Sequence, residues 1–85
     1  MENRIRILMV LETIHRAKSQ IEYKRLDILI NTELFNKEND YPLWGYELLN
    51  LLKEMKKEEL INQNMEQKYS ITPKGLEYLK QHLDE

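Results

Sequence analysis

The sequence predicts an α+β fold, in which helices make up most of the chain and a short β-hairpin precedes the last helix. Two changes in the spacing of apolar residues indicate this fold. Up to about Glu59 the apolar residues recur mainly at helical spacing, and there they begin to alternate with polar ones. Near Thr72 the helical spacing returns. With 85 residues the chain makes one domain, which we assign to residues 1–85.

The first helix is predicted over residues 3–17. Its broad apolar side should enter the core and consists of Ile7, Leu8, Val10, Leu11 and Ile14. Ile5 and Met9 lie off that side. Two interpretations of this pair stay open: contact with the last helix of the same chain, or the seam of a dimer.

A break and a second helix follow. Ile21 and Tyr23 alternate with polar neighbours, which predicts an extended segment of two or three residues. The second helix is predicted over residues 24–35, and its buried side consists of Leu26, Leu29, Ile30 and Leu34. Ile28 and Phe35 lie off that side, so we expect them to be partly exposed or to cover a neighbouring element.

Residues 36–42 form the clearest predicted loop, since they combine Asn and Asp with a proline. The third helix is predicted over residues 43–57, with Trp44 as a partly buried anchor at its start. Its buried side consists of Leu48, Leu52 and Met55. At about 100° per residue, four polar side chains fall together on the opposite side: Tyr46, Asn50, Lys53 and Lys57.

The end of the chain predicts a hairpin and a closing helix. Residues 59–61 and 69–72 are two short β-compatible runs that flank a polar turn at residues 62–68. Thr72 suits a helix N-cap, and Pro73 suits the first helical position. Leu76, Leu79 and Leu83 form the expected buried stripe of the last helix, and Tyr78 and His82 flank it.

The charge distribution is polarised although the net charge is only −2. Residues 1–25 carry six basic and three acidic side chains, whereas residues 26–50 carry one basic and five acidic ones. This pattern permits contact with nucleic acid through one face without requiring it. The N-terminal residues lack the uncharged core of a signal peptide, and no apolar run approaches membrane-spanning length, so we expect a cytoplasmic protein.

No residues with catalytic spacing are present. The chain has no cysteine, and its two histidines lie far apart in sequence, which disfavours a metal site. Its two glycines form no phosphate-binding loop. We therefore predict no enzyme activity and no cofactor.

Residues 69–79, YSITPKGLEYL, resemble the end of many small winged helix-turn-helix regulators. In that family a strand of the form Tyr-x-Ile/Leu-Thr leads through x-Lys-Gly into the closing helix. Residues 52–61 resemble the family's passage from recognition helix to wing, and the resemblance covers nearly the whole chain. It implies a three-helix core, a two-stranded β-wing, a closing C-terminal helix and binding to double-stranded DNA as a transcriptional regulator.

The resemblance makes residues 43–57 the recognition helix and residues 62–68 the wing. Side chains of the kinds found on the exposed stripe can meet base edges or phosphates in the major groove. We expect Tyr46 and Asn50 to face base edges, and Lys53 and Lys57 to meet phosphates or guanine edges. The remaining predicted DNA contacts are Lys68, Lys24 and Arg25.

The alternative is a winged helix that binds a protein partner and no DNA, since one fold supports several functions. The acidic residues 26–50 and the wing, where Lys68 is the single basic residue, support it. For the DNA-binding interpretation a homodimer is also expected, because one recognition helix reads few base pairs. Its predicted seam consists of Ile5, Met9, Tyr78 and His82.

Overall fold

The structure is a computed structural model, and it describes residues 3–31 and 45–83. Within these ranges the chain forms four helices and a small three-stranded sheet, which confirms the α+β class. The elements in order are α1 (Asn3–Arg16), β1 (Ile21–Glu22), α2 (Tyr23–Ile30), α3 (Gly45–Lys57), β2 (Ile61–Gln63), β3 (Lys68–Ile71) and α4 (Pro73–Leu83). The predicted loop at 36–42, together with Leu34, Phe35, Leu43 and Trp44, lies outside the described residues.

The sheet is antiparallel and has the order β1-β3-β2. Ile21 in β1 lies opposite Tyr69, and Ile61 in β2 lies opposite Ile71. The predicted hairpin is present as β2 and β3, and the predicted extended residues before α2 add a third strand, because they pair with the free edge of β3. Tyr23, predicted as extended, instead begins α2. A third strand stabilises a hairpin that would be marginal alone.

The core surrounds α1, which packs against α2, β3 and α4. As predicted, four residues of the apolar side of α1 are buried, namely Ile7, Leu8, Val10 and Leu11, and Ile14 packs against the core while partly exposed. The predicted buried face of α3 is confirmed as well. Ile5 is only 6% exposed, so its predicted position off the core is wrong. The reason is that α1 has neighbours on several sides, and a second strip of its surface is therefore covered.

Arg6 is buried, which the sequence pattern did not indicate. Its guanidinium donates hydrogen bonds to the Ile30 carbonyl oxygen at 3.1 Å and to the Asn3 side-chain oxygen at 3.0 Å. The Ile30 carbonyl lies at the C-terminus of α2, where helix carbonyls lack helical partners and positive charge is favourable. Arg6 therefore connects α1 to the end of α2.

α1 and α3 end with the same backbone turn. Lys18 and Glu59 follow the helices with φ of 55° and 63°, in the left-handed region. The next amides, of Ser19 and Leu60, donate to the Ile14 and Met55 carbonyls at 3.1 and 3.0 Å. These are the hydrogen bonds of a Schellman motif, which usually has glycine at the left-handed position. Each turn reverses the chain towards the sheet.

The start of α4 explains the Ile-Thr-Pro-Lys-Gly pattern in structural terms. The Gly75 amide donates to the Thr72 hydroxyl oxygen at 3.0 Å, which confirms Thr72 as the N-cap. The same hydroxyl donates to the Glu59 carbonyl at 2.6 Å. A Cβ added to Gly75 would lie 2.1 Å from the Leu60 carbonyl oxygen, so α4 packs closely on the end of α3 only because residue 75 is glycine.

Two predictions near the C-terminus need correction. Leu79 is buried, but Leu83 is 55% exposed, so the stripe expected to be buried is only partly so. Leu83 borders an open groove between α1 and α4. The hairpin strands have the predicted lengths but lie closer to the turn, since Asn62, Gln63 and Lys68 belong to β2 and β3. The actual turn is residues 64–67, because the Asn64 amide donates to the Lys68 carbonyl and thereby closes it.

Candidate nucleic-acid interface

The polar stripe of α3 is exposed along its whole length, as predicted. Tyr46 is 84% exposed, and Asn50, Lys53 and Lys57 also lie on the surface. The opposite side of α3 is buried, which fixes the direction in which the stripe points. Together these side chains present a phenol, an amide and two amines to solvent, groups that can contact base edges and phosphates.

Carboxylates line one side of this stripe, and we call Glu47, Glu54 and Glu58 the acidic flank. At about 100° per residue the three lie next to one another along α3. Arg4 of α1 forms ion pairs with Glu58 and, at 3.4 Å, with Glu54. The hydrogen bond that Arg4 donates to the Glu58 carboxylate raises the pKa of Arg4. Arg4 thus neutralises part of the acidic flank and holds α1 against α3.

The other side of the stripe faces the hairpin. Lys56 donates a hydrogen bond to the side-chain oxygen of Gln63 in β2 at 2.9 Å. A groove of about 540 Å³ lies between the start of α2, α3 and the hairpin. Lys24, Leu49 and Gln67 lie in its walls, each from a different one of these elements. The structure therefore brings three predicted contact regions to one side of the molecule.

The starts of α2 and α3 are connected by Tyr23. Its hydroxyl donates to the Gly45 carbonyl oxygen at 3.4 Å. Burial raises the pKa of the Tyr23 phenol, and the negative charge of Asp27 raises it further by a smaller amount. Lys24 and Arg25 come directly after Tyr23 and are exposed. Of the two, Lys24 lines the groove beside Leu49 of α3.

The hairpin turn contributes little net positive charge. The Lys68 amine lies 3.3 Å from the Glu66 carboxylate. Met65 is fully exposed at the tip of the turn. The other side chains of the turn are amides, of Asn64 and Gln67, so the hairpin can offer hydrogen bonds but only weak attraction to phosphates.

The basic N-terminal segment is partly used for internal contacts. Arg4 pairs with the acidic flank, Arg6 is buried, and the Arg16 guanidinium lies 2.6 Å from the Glu12 carboxylate. Lys18, Lys24 and Arg25 remain exposed. Sequence reasoning missed the role of Arg4, whose partner Glu58 is 54 positions away and leaves no local signal.

The four residues of the predicted dimer seam do not share one surface. Ile5 is buried, and Met9 lines a groove of about 340 Å³ between α1 and α4, together with Leu76, Leu79 and Leu83. Tyr78 and His82 do not line this groove. Their rings stack with centroids 4.1 Å apart, and the His82 Nδ1 lies 2.9 Å from the Tyr78 carbonyl oxygen.

Within residues 3–31 and 45–83, no three His, Asp or Glu side chains lie close enough to hold a metal ion. In the same ranges no helix combines the length and the apolar character needed to cross a membrane. Comparison of the chain with models of protein families, with curated proteins and with solved structures gave no match.

Proposed function

We propose that this protein is a winged helix-turn-helix regulator that binds double-stranded DNA with α3 in the major groove. The observation that carries the proposal is the stripe of Tyr46, Asn50, Lys53 and Lys57, which is exposed on a helix whose other face is buried. A helix fits the major groove, and these residue types make base and phosphate contacts. The order of helices and strands, with a sheet of order β1-β3-β2, supports the winged-helix assignment.

In this proposal each part of the surface has a separate role. Tyr46 and Asn50, in the N-terminal half of α3, contact base edges. Lys53 and Lys57 contact phosphates or guanine edges further along the helix. Lys24 and Arg25 approach the backbone from the start of α2, and Lys68 reaches it from the wing, residues 62–68.

Exposed basic side chains on α2 and α3 support contact with a polyanion. Lys24 and Arg25 are exposed at the start of α2, and Lys53 and Lys57 are exposed on α3. Arg4 adds to this effect, since its ion pairs offset part of the charge of Glu54 and Glu58, carboxylates that would otherwise repel phosphates.

The test is the salt dependence of binding to a mixed-sequence DNA duplex, measured by fluorescence anisotropy. With about four phosphate contacts, the log of the binding constant should fall with the log of salt with a slope of about −3 to −4. The double change Lys53→Ala and Lys57→Ala should make the slope shallower by about two. The matched control is Lys80→Ala, an exposed amine on α4, which should leave the slope unchanged. Absence of binding at about 50 mM salt contradicts the proposal.

A second candidate function is a winged helix that binds a protein partner without binding DNA. The observation that favours it is exposed apolar surface outside α3. Ile28 on α2 is 64% exposed, and Met65 is fully exposed at the hairpin tip. Absence of DNA binding at low salt would favour this candidate.

We also propose that the DNA-binding form is a homodimer joined at the groove between α1 and α4. The groove carries apolar Met9 and Leu83, with Glu12, Arg16 and Lys80 at its edges. Edges with both signs of charge suit contact between two identical copies, in which each surface meets itself. Two copies would double the number of base pairs read.

A further inference from the structure

We propose that Glu47 determines base specificity, because its carboxylate accepts a hydrogen bond from the amino group of a cytosine in the major groove. The inference rests on the proposed DNA binding and adds a base preference to it. It concerns a residue outside the stripe of Tyr46, Asn50, Lys53 and Lys57.

The acidic flank is not uniform. Glu54 and Glu58, towards the C-terminal end of α3, are both paired with Arg4. Glu47 lies in the first turn of the same helix, is exposed, and forms no ion pair within the described residues. The single Arg4 guanidinium therefore offsets part of the charge of the two carboxylates further along the helix, and within the described residues no cation pairs with the first one.

The position of Glu47 is the one from which a recognition helix contacts bases. N-terminal residues of such helices reach base edges, whereas the protein surface around them contacts the DNA backbone. Glu47 lies one turn before Asn50 and adjoins Tyr46, so the three form one patch at the start of α3. A charged carboxylate in this patch meets the edges of base pairs rather than a single phosphate.

The chemistry of the major groove limits what this carboxylate can bind. A carboxylate only accepts hydrogen bonds, and the donors in the groove are the amino groups of cytosine and adenine. Glutamate pairs with the cytosine amino group, whereas guanine and thymine present acceptors that repel it. Glu47 therefore selects cytosine at its position and rejects guanine and thymine there.

A purely structural role makes a different prediction. A carboxylate in the first turn of a helix stabilises the helix by its interaction with the helix dipole. In that role, replacing it by a neutral side chain lowers the stability of the protein without changing its base preference. Sequence selection and thermal unfolding therefore separate the two roles.

The experiment selects bound sequences from random duplex DNA with the wild type, Glu47→Gln and Glu54→Gln. The wild type should enrich cytosine at one position of the site. Glu47→Gln should reduce that enrichment by about tenfold and shift it towards adenine, which glutamine pairs with. Glu54→Gln, the matched control on the same flank, should keep the wild-type preference, and thermal unfolding should show that all three proteins fold.

Each other outcome overturns the inference in a recognisable way. If the wild type and Glu47→Gln select the same sequences, DNA binding stands and the role of Glu47 fails. If Glu54→Gln changes the preference equally, or if Glu47→Gln strengthens binding to all sequences alike, the carboxylate acts only through its charge. If the wild type selects no sequence, the proposed sequence-specific binding fails as well.

Discussion

Several residues occupy backbone positions or surroundings unusual for their type, and these positions have measurable consequences. Glu59 has a φ of 63° at the end of α3, where glycine is favoured. Tyr69 of β3 is buried against the core. Neither feature concerns DNA contact, so both test the structure independently of the proposed function.

Glu59→Gly should stabilise the protein by about 0.5–1 kcal/mol, because a left-handed conformation costs an ordinary residue more than it costs glycine. The Glu59 carbonyl still accepts the Thr72 hydroxyl bond after this change. The measurement is the midpoint of urea unfolding. Glu77→Gly is the control, an exposed position inside α4, and it should destabilise by about 1 kcal/mol. If both changes destabilise the protein, the left-handed conformation of Glu59 at the end of α3 is contradicted.

Burial raises the pKa of the Tyr69 phenol above its ordinary value of 10.0, and the nearby Tyr23 phenol raises it further by a smaller amount. The folded state therefore favours the neutral phenol, so this contribution to stability is complete below about pH 10 and is lost as pH rises through the raised pKa. Urea unfolding between about pH 9 and 11 should show stability falling with pH. Tyr69→Phe should make the fall shallower, and an unchanged slope would contradict the assignment.

At the scale of elements, each helix end and strand pair is held by a few defined backbone contacts. The hairpin turn depends on Asn64, whose side-chain oxygen accepts from the amides of Glu66 at 2.9 Å and Lys68 at 3.0 Å. Gln67 completes the turn with a φ of 64°. This arrangement places the exposed residues of the wing beside α3.

Asn64→Ala should destabilise the hairpin by about 1 kcal/mol, since two backbone amides lose their acceptor. Hydrogen exchange of the Glu66 and Lys68 amides should become faster, while exchange in α1 changes less. Met65→Ala, at the exposed tip of the same turn, serves as the control and should leave exchange unchanged. Equal exchange in wild type and Asn64→Ala would show that the side chain does not hold the turn.

At the scale of the whole molecule, the proposed DNA-binding and dimer surfaces involve different elements. The exposed stripe lies on α3, and the apolar groove lies between α1 and α4. A change in the groove should therefore alter the oligomeric state without removing a DNA-contacting side chain. This separation allows the two proposals to be tested one at a time.

The homodimer proposal predicts a dimer at tens of micromolar in sedimentation equilibrium. Met9→Glu should shift the protein towards monomer, because it places a charge in the apolar groove. Ile28→Glu is the matched control, an exposed isoleucine on α2, and it should leave the dimer intact. A monomeric wild type ends the proposal, and a dimer unaffected by Met9→Glu places the seam elsewhere.

The sequence alone determined the α+β class, the presence of the four described helices and the outward direction of the stripe on α3, but not the end of α2, which was predicted at residue 35 and lies at Ile30. These features depend on local spacing of apolar and polar residues, which is present in the chain before it folds. The cap at Thr72 was predictable for the same reason, since its partner amide belongs to Gly75, three positions later. The proposed DNA-contacting residues of α3 follow from this local pattern.

Tertiary structure alone decided which elements meet. The pairing of Ile21 with Tyr69 made the sheet three-stranded, and packing around α1 buried Ile5. The contact of Arg4 with Glu58 joins residues 54 positions apart, and among the described residues Glu47 is the carboxylate of the acidic flank that forms no ion pair. Such contacts depend on how distant elements pack, and the periodicity of a single segment carries no information about its neighbours.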